Sequence, residues 1–62
     1  MKFSLRELRA RKNWTQAQTA EKLGVSPQTY NAWEHDISKV KISKVNAIAR
    51  LFEISLDELK TE

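Results

Sequence analysis

Apolar residues recur along this chain at intervals of three and four, which is the spacing of helices that bury one face. From the N-terminus, the series are Leu5 and Leu8; Ala17, Ala20 and Leu23; Tyr30 and Trp33; Ile42, Val45, Ile48, Ala49 and Phe52; and finally Ile54, Leu56 and Leu59. The chain has one Gly, one Pro and few β-branched runs. The pattern predicts an all-α fold around a single core.

Residues that begin helices precede most of these series. Ser4-Leu-Arg-Glu7, Thr15-Gln-Ala-Gln18 and Ser55-Leu-Asp-Glu58 each have the pattern of a capping box, in which two side chains satisfy free backbone N–H groups at the helix start. Ser26-Pro27 offers serine as the N-cap and proline at the first helical position, where a missing N–H costs nothing. A further helix is predicted to begin between residues 41 and 43, with a weaker cap.

Residues that end helices follow the same series. Asn13 and Gly24 readily adopt the left-handed conformation that closes a helix. Asp36 and Glu53 stand where two more helices must end, and Glu in that conformation costs on the order of 1 kcal/mol. We therefore predict five helices, at residues 4–12, 16–23, 27–35, 42–52 and 56–61.

Length and composition limit the classes of protein that fit. Sixty-two residues predict one domain, over residues 1–62, and the lack of Cys excludes disulfides and thiolate metal sites. The longest apolar stretches are two or three residues, too short for a membrane span, and Met1 is followed by no signal-peptide run. We expect a cytoplasmic protein of bacterial or phage type without metal, cofactor or small-molecule substrate.

Charge is unevenly distributed over a chain whose net charge is +3. Residues 1–12 hold five basic side chains and one acidic one, residues 38–50 hold four basic and no acidic ones, and residues 51–62 are mainly acidic. This distribution indicates one face that attracts a polyanion, although solvated helix faces would produce it too. The only histidine, His35, has no partner set beyond Asp36, so we interpret it as a phosphate contact or a surface residue. No catalytic motif is present, and we predict that the chain is not an enzyme.

Residues 15–34, which read TQAQTAEKLGVSPQTYNAWE, have the pattern of a helix-turn-helix at about residues 16–35. A small residue, Ala20, stands where the second helix must cross the first, and Gly24 permits a turn at positive φ. Val25 fills the corner, and Ser26-Pro27 starts the second helix at once. In such motifs the second helix enters the major groove of DNA.

The predicted second helix of this motif carries a distinctive outer face. At about 100° per residue, Tyr30 and Trp33 define its inward side. The outward side chains are Gln28, Ala32 and His35, flanked by Asn31 and Thr29. Amide and methyl groups suit base edges, since Gln pairs with adenine and Ala packs on the thymine methyl. An ordinary polar helix face remains the alternative.

These segments resemble the phage repressor and Cro-type helix-turn-helix regulators, also called the XRE family. The resemblance covers residues 5–59 and rests on Leu5-x-x-Leu8-Arg9, Trp14-Thr15-Gln16, Ala20-Glu-Lys-Leu23-Gly24-Val25-Ser26, Trp33-Glu34 and Ile54-Ser55-Leu56-Asp57-Glu58-Leu59. It implies a compact five-helix lambda-repressor-like domain that binds operator DNA, usually as a dimer. Two residues depart from the family pattern: Thr19 is smaller than the usual apolar residue at its position, and Tyr30 is larger than the usual aliphatic one. We expect the two changes in side-chain volume to compensate each other.

The resemblance also implies roles for individual residues. Base-reading positions match Pro27, Gln28, Thr29 and Ala32, to which the helical geometry adds Asn31. Phosphate-contacting positions match Gln16, at the start of the second helix, and Ser38, Lys39 and Lys41, after the third. A buried ion pair of the family matches Arg9 and Glu34.

We therefore predict the operator-binding domain of a transcriptional repressor, which docks on phosphates and reads bases with residues 27–35. Its operator is expected to be pseudo-palindromic. A weak homodimer, or dimerisation on DNA, is expected through the fifth helix and neighbouring apolar residues. Two alternatives remain at this point: an antitoxin that binds a toxin protein and regulates its own gene, and a protein-interaction module on the same fold.

Overall fold

The structure is a computed structural model that describes residues 2–60. This range forms four α-helices, α1 (Leu5–Lys12), α2 (Gln16–Leu23), α3 (Pro27–His35) and α4 (Ile42–Phe52), and two 3₁₀ turns, Ile37–Lys39 and Leu56–Glu58. The predicted all-α class is confirmed, and α2, α3 and α4 have the predicted bounds. No helix within residues 2–60 has the length and hydropathy needed to cross a bilayer.

Side-chain caps begin the first three helices, as the sequence predicts. The Ser4 hydroxyl accepts the Glu7 N–H at 3.2 Å, and the Glu7 carboxylate accepts the Ser4 N–H at 2.9 Å. Thr15 and Gln18 repeat this arrangement at 3.0 and 2.8 Å, and Ser26 caps α3 through its hydroxyl. Each cap contributes on the order of 1 kcal/mol, a useful share of the stability of so small a domain.

Helices end at all four predicted positions, but only three of these residues have a left-handed backbone. Asn13, Gly24 and Glu53 adopt the left-handed conformation, at φ 59°, 72° and 56°. Asp36 instead has an extended backbone at φ −148°, and its carboxylate accepts the Ser38 N–H at 3.1 Å. Asp36 thus ends α3 and caps the following 3₁₀ turn in one residue.

The core lies where α3 packs against α1 and α2, with α4 closing it from the side of α2. Its buried apolar side chains are Leu5, Leu8, Ala20, Leu23, Tyr30, Trp33, Ile48, Ala49, Phe52 and Leu59. Thr19 and Tyr30, the two departures from the family pattern, are both completely buried. Both side chains therefore belong to the interior. That the larger Tyr30 fills the volume left by the smaller Thr19 stays a prediction.

On α2 and α4, two residues of the predicted apolar stripes are solvent-exposed instead. Ala17 lies on the outer side of α2, whereas Thr19, Ala20 and Leu23 are buried. Ile42, the first residue of α4, is 84% exposed because the first turn of α4 extends past the core. Periodicity indicates which side of a helix is apolar but not how far the neighbouring elements extend along it.

The predicted fifth helix, 56–61, is a single 3₁₀ turn at Leu56–Glu58, and residue 61 lies outside the described residues. Helical hydrogen bonding stops because the next backbone groups pair with the N-terminal segment. Phe3 donates its N–H to the Glu58 carbonyl at 2.7 Å, and Lys60 donates to the Phe3 carbonyl at 2.7 Å. This bridge buries Leu59 but leaves Leu56, which the apolar pattern assigns to the core, 51% exposed.

Candidate nucleic-acid interface

The outer face of α3 is exposed and uncharged apart from its C-terminal end. Four of the five predicted base-reading residues are exposed: Pro27, Gln28, Thr29 and Asn31. Ala32 is half-buried, while Tyr30 and Trp33 are buried on the opposite side, as the helical geometry predicts. These are positions from which side chains reach outward; their roles in base reading stay a prediction.

The only acidic residue of α3, Glu34, is turned away from this face. Its side chain is 5% exposed, and its Oε2 lies 2.7 Å from the Nε of Arg9 on α1. The second guanidinium branch of Arg9 reaches the Glu34 Oε1 at 3.5 Å, and Nη1 donates to the Trp14 carbonyl at 3.0 Å. The predicted partners therefore form an ion pair that ties α3 to α1 and removes a negative charge from the exposed side of α3.

The surroundings of this pair keep it charged. Burial alone raises the pKa of Glu34, but the Arg9 guanidinium, with the nearby Tyr30 hydroxyl and Gln16 amide, lowers it below its ordinary value. Burial, followed by the Glu34 carboxylate, raises the pKa of the Tyr30 phenol, which is therefore neutral. The Tyr30 hydroxyl is buried and has no hydrogen-bond partner among residues 2–60.

Gln16, the first residue of α2, connects the buried pair to the surface. Its Nε2 donates to the Glu34 Oε1 and to the Asn31 Oδ1, both at 2.9 Å. The predicted phosphate contact by Gln16 would require its side-chain amide to give up one of these partners. The backbone N–H groups at the start of α2 are the alternative donors for a phosphate.

The predicted phosphate contacts after α3 are all exposed but not equally available. Lys39 and Lys41 project from the 3₁₀ turn and from the N-cap of α4. The Ser38 hydroxyl already donates to Asp36 at 2.6 Å, and the hydrogen bonds from Ser38 lower the pKa of Asp36. A phosphate contact by Ser38 would need an exchange of this hydrogen bond, whereas the two lysines need none.

Three basic side chains make contacts with other parts of the fold that no sequence pattern predicts. The Lys44 ammonium donates to the Leu23 carbonyl at 2.9 Å and so caps the end of α2 from α4. Lys22 and Arg11 lie over the rings of Trp14 and Phe3, each 4.7 Å from the ring centroid. Lys44 and Leu23 are far apart in the chain, so no local pattern indicates their contact.

Within residues 2–60, no group of three or more His, Cys, Asp or Glu side chains is close enough to hold a metal ion. His35, interpreted from the sequence as a surface residue or phosphate contact, is exposed at the end of α3.

Comparison with known proteins matches this sequence to one family. Residues 5–59 match the helix-turn-helix family. The chain is 36% identical over 53 residues to the uncharacterized HTH-type transcriptional regulator YobD of Bacillus subtilis, which covers 86% of this chain and 47% of YobD. It is 36% identical over 55 residues to the HTH-type transcriptional regulator AnsR of the same organism, covering 89% of this chain and 47% of AnsR.

A third relative is the HTH-type transcriptional activator BcrR of Enterococcus faecalis, 36% identical over 55 residues, with 89% of this chain and 27% of BcrR covered. The chain thus spans less than half the length of the curated relatives it matches. No solved structure matches it significantly. The family and these relatives point to a non-enzymatic DNA-binding protein. The chain belongs to the XRE-type helix-turn-helix family.

Proposed function

We propose that this chain binds duplex DNA in a sequence-specific manner, with α3 in the major groove, and acts as the DNA-binding part of a transcriptional repressor in the bacterial cytoplasm. The observation that carries the proposal is the outer face of α3. It offers amide, hydroxyl and methyl groups, while the only carboxylate of the helix is buried against Arg9. A carboxylate on that face would be repelled by the phosphates on both sides of the groove.

The neighbouring elements favour the same orientation. A major groove about 12 Å wide admits one α-helix, and the N-terminal half of α3, with Pro27, Gln28 and Thr29, is its most accessible part. Lys39 and Lys41 follow α3 directly and are exposed, so they are suited to the phosphates beside the groove. This arrangement favours binding in two steps: the lysines dock on the phosphate backbone of the DNA, and the uncharged face of α3 then reads the bases.

Two finer parts of the proposal concern assembly and the direction of regulation. The exposed side chain of Leu56, on the second 3₁₀ turn, supports a weak homodimer through this segment on a pseudo-palindromic operator. Sedimentation with and without duplex DNA tests the homodimer.

Repression is the simpler direction of regulation because a bound domain blocks polymerase without any further contact. A reporter placed behind a selected site distinguishes repression from activation.

The test of DNA reading compares Gln28→Ala, Lys39→Ala and the control Lys22→Ala on selected and scrambled duplexes over a range of salt concentrations. Gln28→Ala should lose about 1–3 kcal/mol on the selected site and almost nothing on the scrambled one. Lys39→Ala should weaken both and reduce the salt slope by about 0.9 for each phosphate that the lysine neutralises. Lys22→Ala, whose ammonium lies over Trp14, should leave the slope unchanged.

Three results would contradict the proposal. Equal losses by Gln28→Ala on both duplexes would show that α3 is not the reader. An unaltered slope for Lys39→Ala would remove that lysine from the interface. A wild-type chain that shows no salt-dependent binding to any duplex would instead be a protein-interaction module.

A further inference from the structure

A small polar cleft lies beside the outer face of α3, where α1, α2 and α3 meet. Its volume is about 190 Å³, and it is lined by Ser4, Arg6, Gln16, Asn31, Glu34 and His35. Pockets for small molecules usually begin at about 300 Å³. The cleft is therefore suited to a single chemical group rather than to a whole small molecule.

The groups that line this cleft favour an anion. The only carboxylate among them belongs to Glu34, which is buried and paired with Arg9 at 2.7 Å. The other lining side chains offer a guanidinium, two amides, a hydroxyl and an imidazole, none of which carries a negative charge. Donors without a competing free carboxylate are what a phosphate oxygen requires.

Arg6 is the exposed cation of this cleft. Its side chain makes no hydrogen bond or ion pair with residues 2–60. Arg9 lies one turn later on the same face of α1, and its guanidinium is occupied by Glu34 and by the Trp14 carbonyl. Of the two arginines on this face of α1, one is thus committed to the interior and the other is available to a ligand.

The hydrogen bonds of Gln16 make Arg6 the better partner for an anion in this cleft. Gln16 Nε2 donates to Glu34 and to Asn31, both at 2.9 Å, so its amide must lose a bond before it can bind a phosphate. Arg6 has five N–H donors and no partner within residues 2–60 to give up. A guanidinium also binds phosphate through two parallel, charge-assisted hydrogen bonds, which are stronger than those of a neutral amide. Arg6 can therefore hold a phosphate while the buried network stays intact.

We propose that this cleft binds one backbone phosphate of the DNA through Arg6. The proposal rests on the proposed function and extends its interface from α3 and the following turn to α1. A helix in the major groove has a phosphate backbone on each side. Lys39 and Lys41 supply cations from the segment after α3, whereas Arg6 supplies one from a different element. Contacts from two elements fix the orientation of α3 on the duplex, which is the role of phosphate contacts in sequence reading.

The experiment measures the salt dependence of binding to a selected and to a scrambled duplex. Arg6→Gln removes the charge, so it should weaken binding to both duplexes roughly 5- to 10-fold at about 0.1 M salt and reduce the salt slope by about 0.9. Arg6→Lys keeps the charge and should keep the slope. The matched control is Arg11→Gln on the same helix: Arg11 is exposed but lies over the Phe3 ring, so its removal should leave the slope unchanged.

Ethylation of single phosphates identifies where Arg6 binds. Ethylation of one phosphate should weaken binding by the wild type and have no further effect on Arg6→Gln, while the phosphate that depends on Lys39 keeps its effect in this variant. If Arg6→Gln and Lys39→Ala become insensitive to the same phosphate, the cleft is no separate site and the proposal fails. Because Arg6 is exposed, Arg6→Gln should keep the denaturant midpoint of the parent, which shows that the variant is folded in the binding assay.

The outcomes separate this inference from the proposed function. A wild type without salt-dependent binding to any duplex overturns both. A wild type that binds a selected site, with the same salt slope for Arg6→Gln, overturns the role of Arg6 and leaves the proposed function intact. A loss by Arg6→Gln on the selected duplex alone would make Arg6 a base reader, which contradicts a phosphate contact. An equal loss of slope by Arg11→Gln would indicate a general effect of net charge and would likewise contradict a bound phosphate in the cleft.

Discussion

The helix-turn-helix and the C-terminal segment of this domain are stabilised in different ways. The helix-turn-helix, α2 and α3, is held by side chains from elsewhere in the chain: Arg9 pairs with Glu34, and Lys44 caps Leu23. The segment after α4 is held by the backbone bridge between Phe3 and Leu59, and Leu56 is left exposed there. The part that carries the proposed reading surface is thus fixed in three dimensions by directional contacts, which is what a precise binding site needs.

The largest difference between the two regions should appear when one carboxylate of each is neutralised. Glu34→Gln leaves Arg9 partly buried without its counter-charge and should lower the free energy of unfolding by on the order of 3–5 kcal/mol. The matched control is Glu58→Gln, which alters the exposed cap of the second 3₁₀ turn, where the carboxylate accepts the Ser55 N–H at 3.0 Å. Its effect on the free energy of unfolding should be much smaller, because glutamine at this position can accept the same hydrogen bond.

Denaturant unfolding of the two variants and the parent measures this difference. Equal midpoints for Glu34→Gln and the parent would show that the ion pair contributes nothing to stability. Equal losses by Glu34→Gln and Glu58→Gln would remove the distinction between the two regions.

The next effect concerns the crossing of α2 and α3. Ala20 is completely buried, whereas Ala17 on the same helix is exposed, so the same substitution tests two environments. Ala20→Leu should overpack the crossing, cost about 1–3 kcal/mol or more, and weaken DNA binding because α3 is displaced. Ala17→Leu should change stability by no more than about 0.5 kcal/mol. Unfolding curves and duplex affinities of both variants test this, and a well-folded, DNA-binding Ala20→Leu would contradict the observed crossing.

The smallest effect is the response to acid. Because the folded state lowers the pKa of Glu34 below its ordinary value of 4.5, the stabilisation it supplies is fully present above that value. It is lost as the pH falls through the lower pKa of the folded state, where Glu34 takes up a proton. Midpoints of the parent should therefore decline below about pH 4.5 more steeply than those of Glu34→Gln. Parallel declines would show that other carboxylates dominate acid unfolding.

Predictions from sequence succeeded where the relevant interactions are local. The capping boxes at Ser4 and Thr15 involve residues three apart, and the turn at Gly24 depends on one residue's φ, so both are visible in the sequence. They failed for the fifth helix, because Leu59 meets Phe3 from the other end of the chain. They failed for Ile42, because its burial depends on how far neighbouring elements extend.

The candidate site shows the same division. Which residues lie on the outer face of α3 follows from helical periodicity, because Tyr30 and Trp33 define its inner side. That Gln16 uses both hydrogens of its amide on Glu34 and Asn31 is visible only once α1, α2 and α3 are packed together. The family resemblance implies a phosphate contact for Gln16 and does not reveal the tie to Asn31.

The amino-acid sequence was enough to predict four of the five expected helices, the side-chain caps of the first three, the helix-turn-helix and the family, because caps, turns and apolar periodicity act over a few neighbouring residues. Tertiary structure alone decided which basic side chains serve the fold, where the last helix gives way to a backbone bridge, and how the Asn31 amide is oriented. These depend on contacts between residues distant in the chain. Hydrogen bonds and ion pairs are directional and short, so only the packed arrangement of the helices specifies which groups meet.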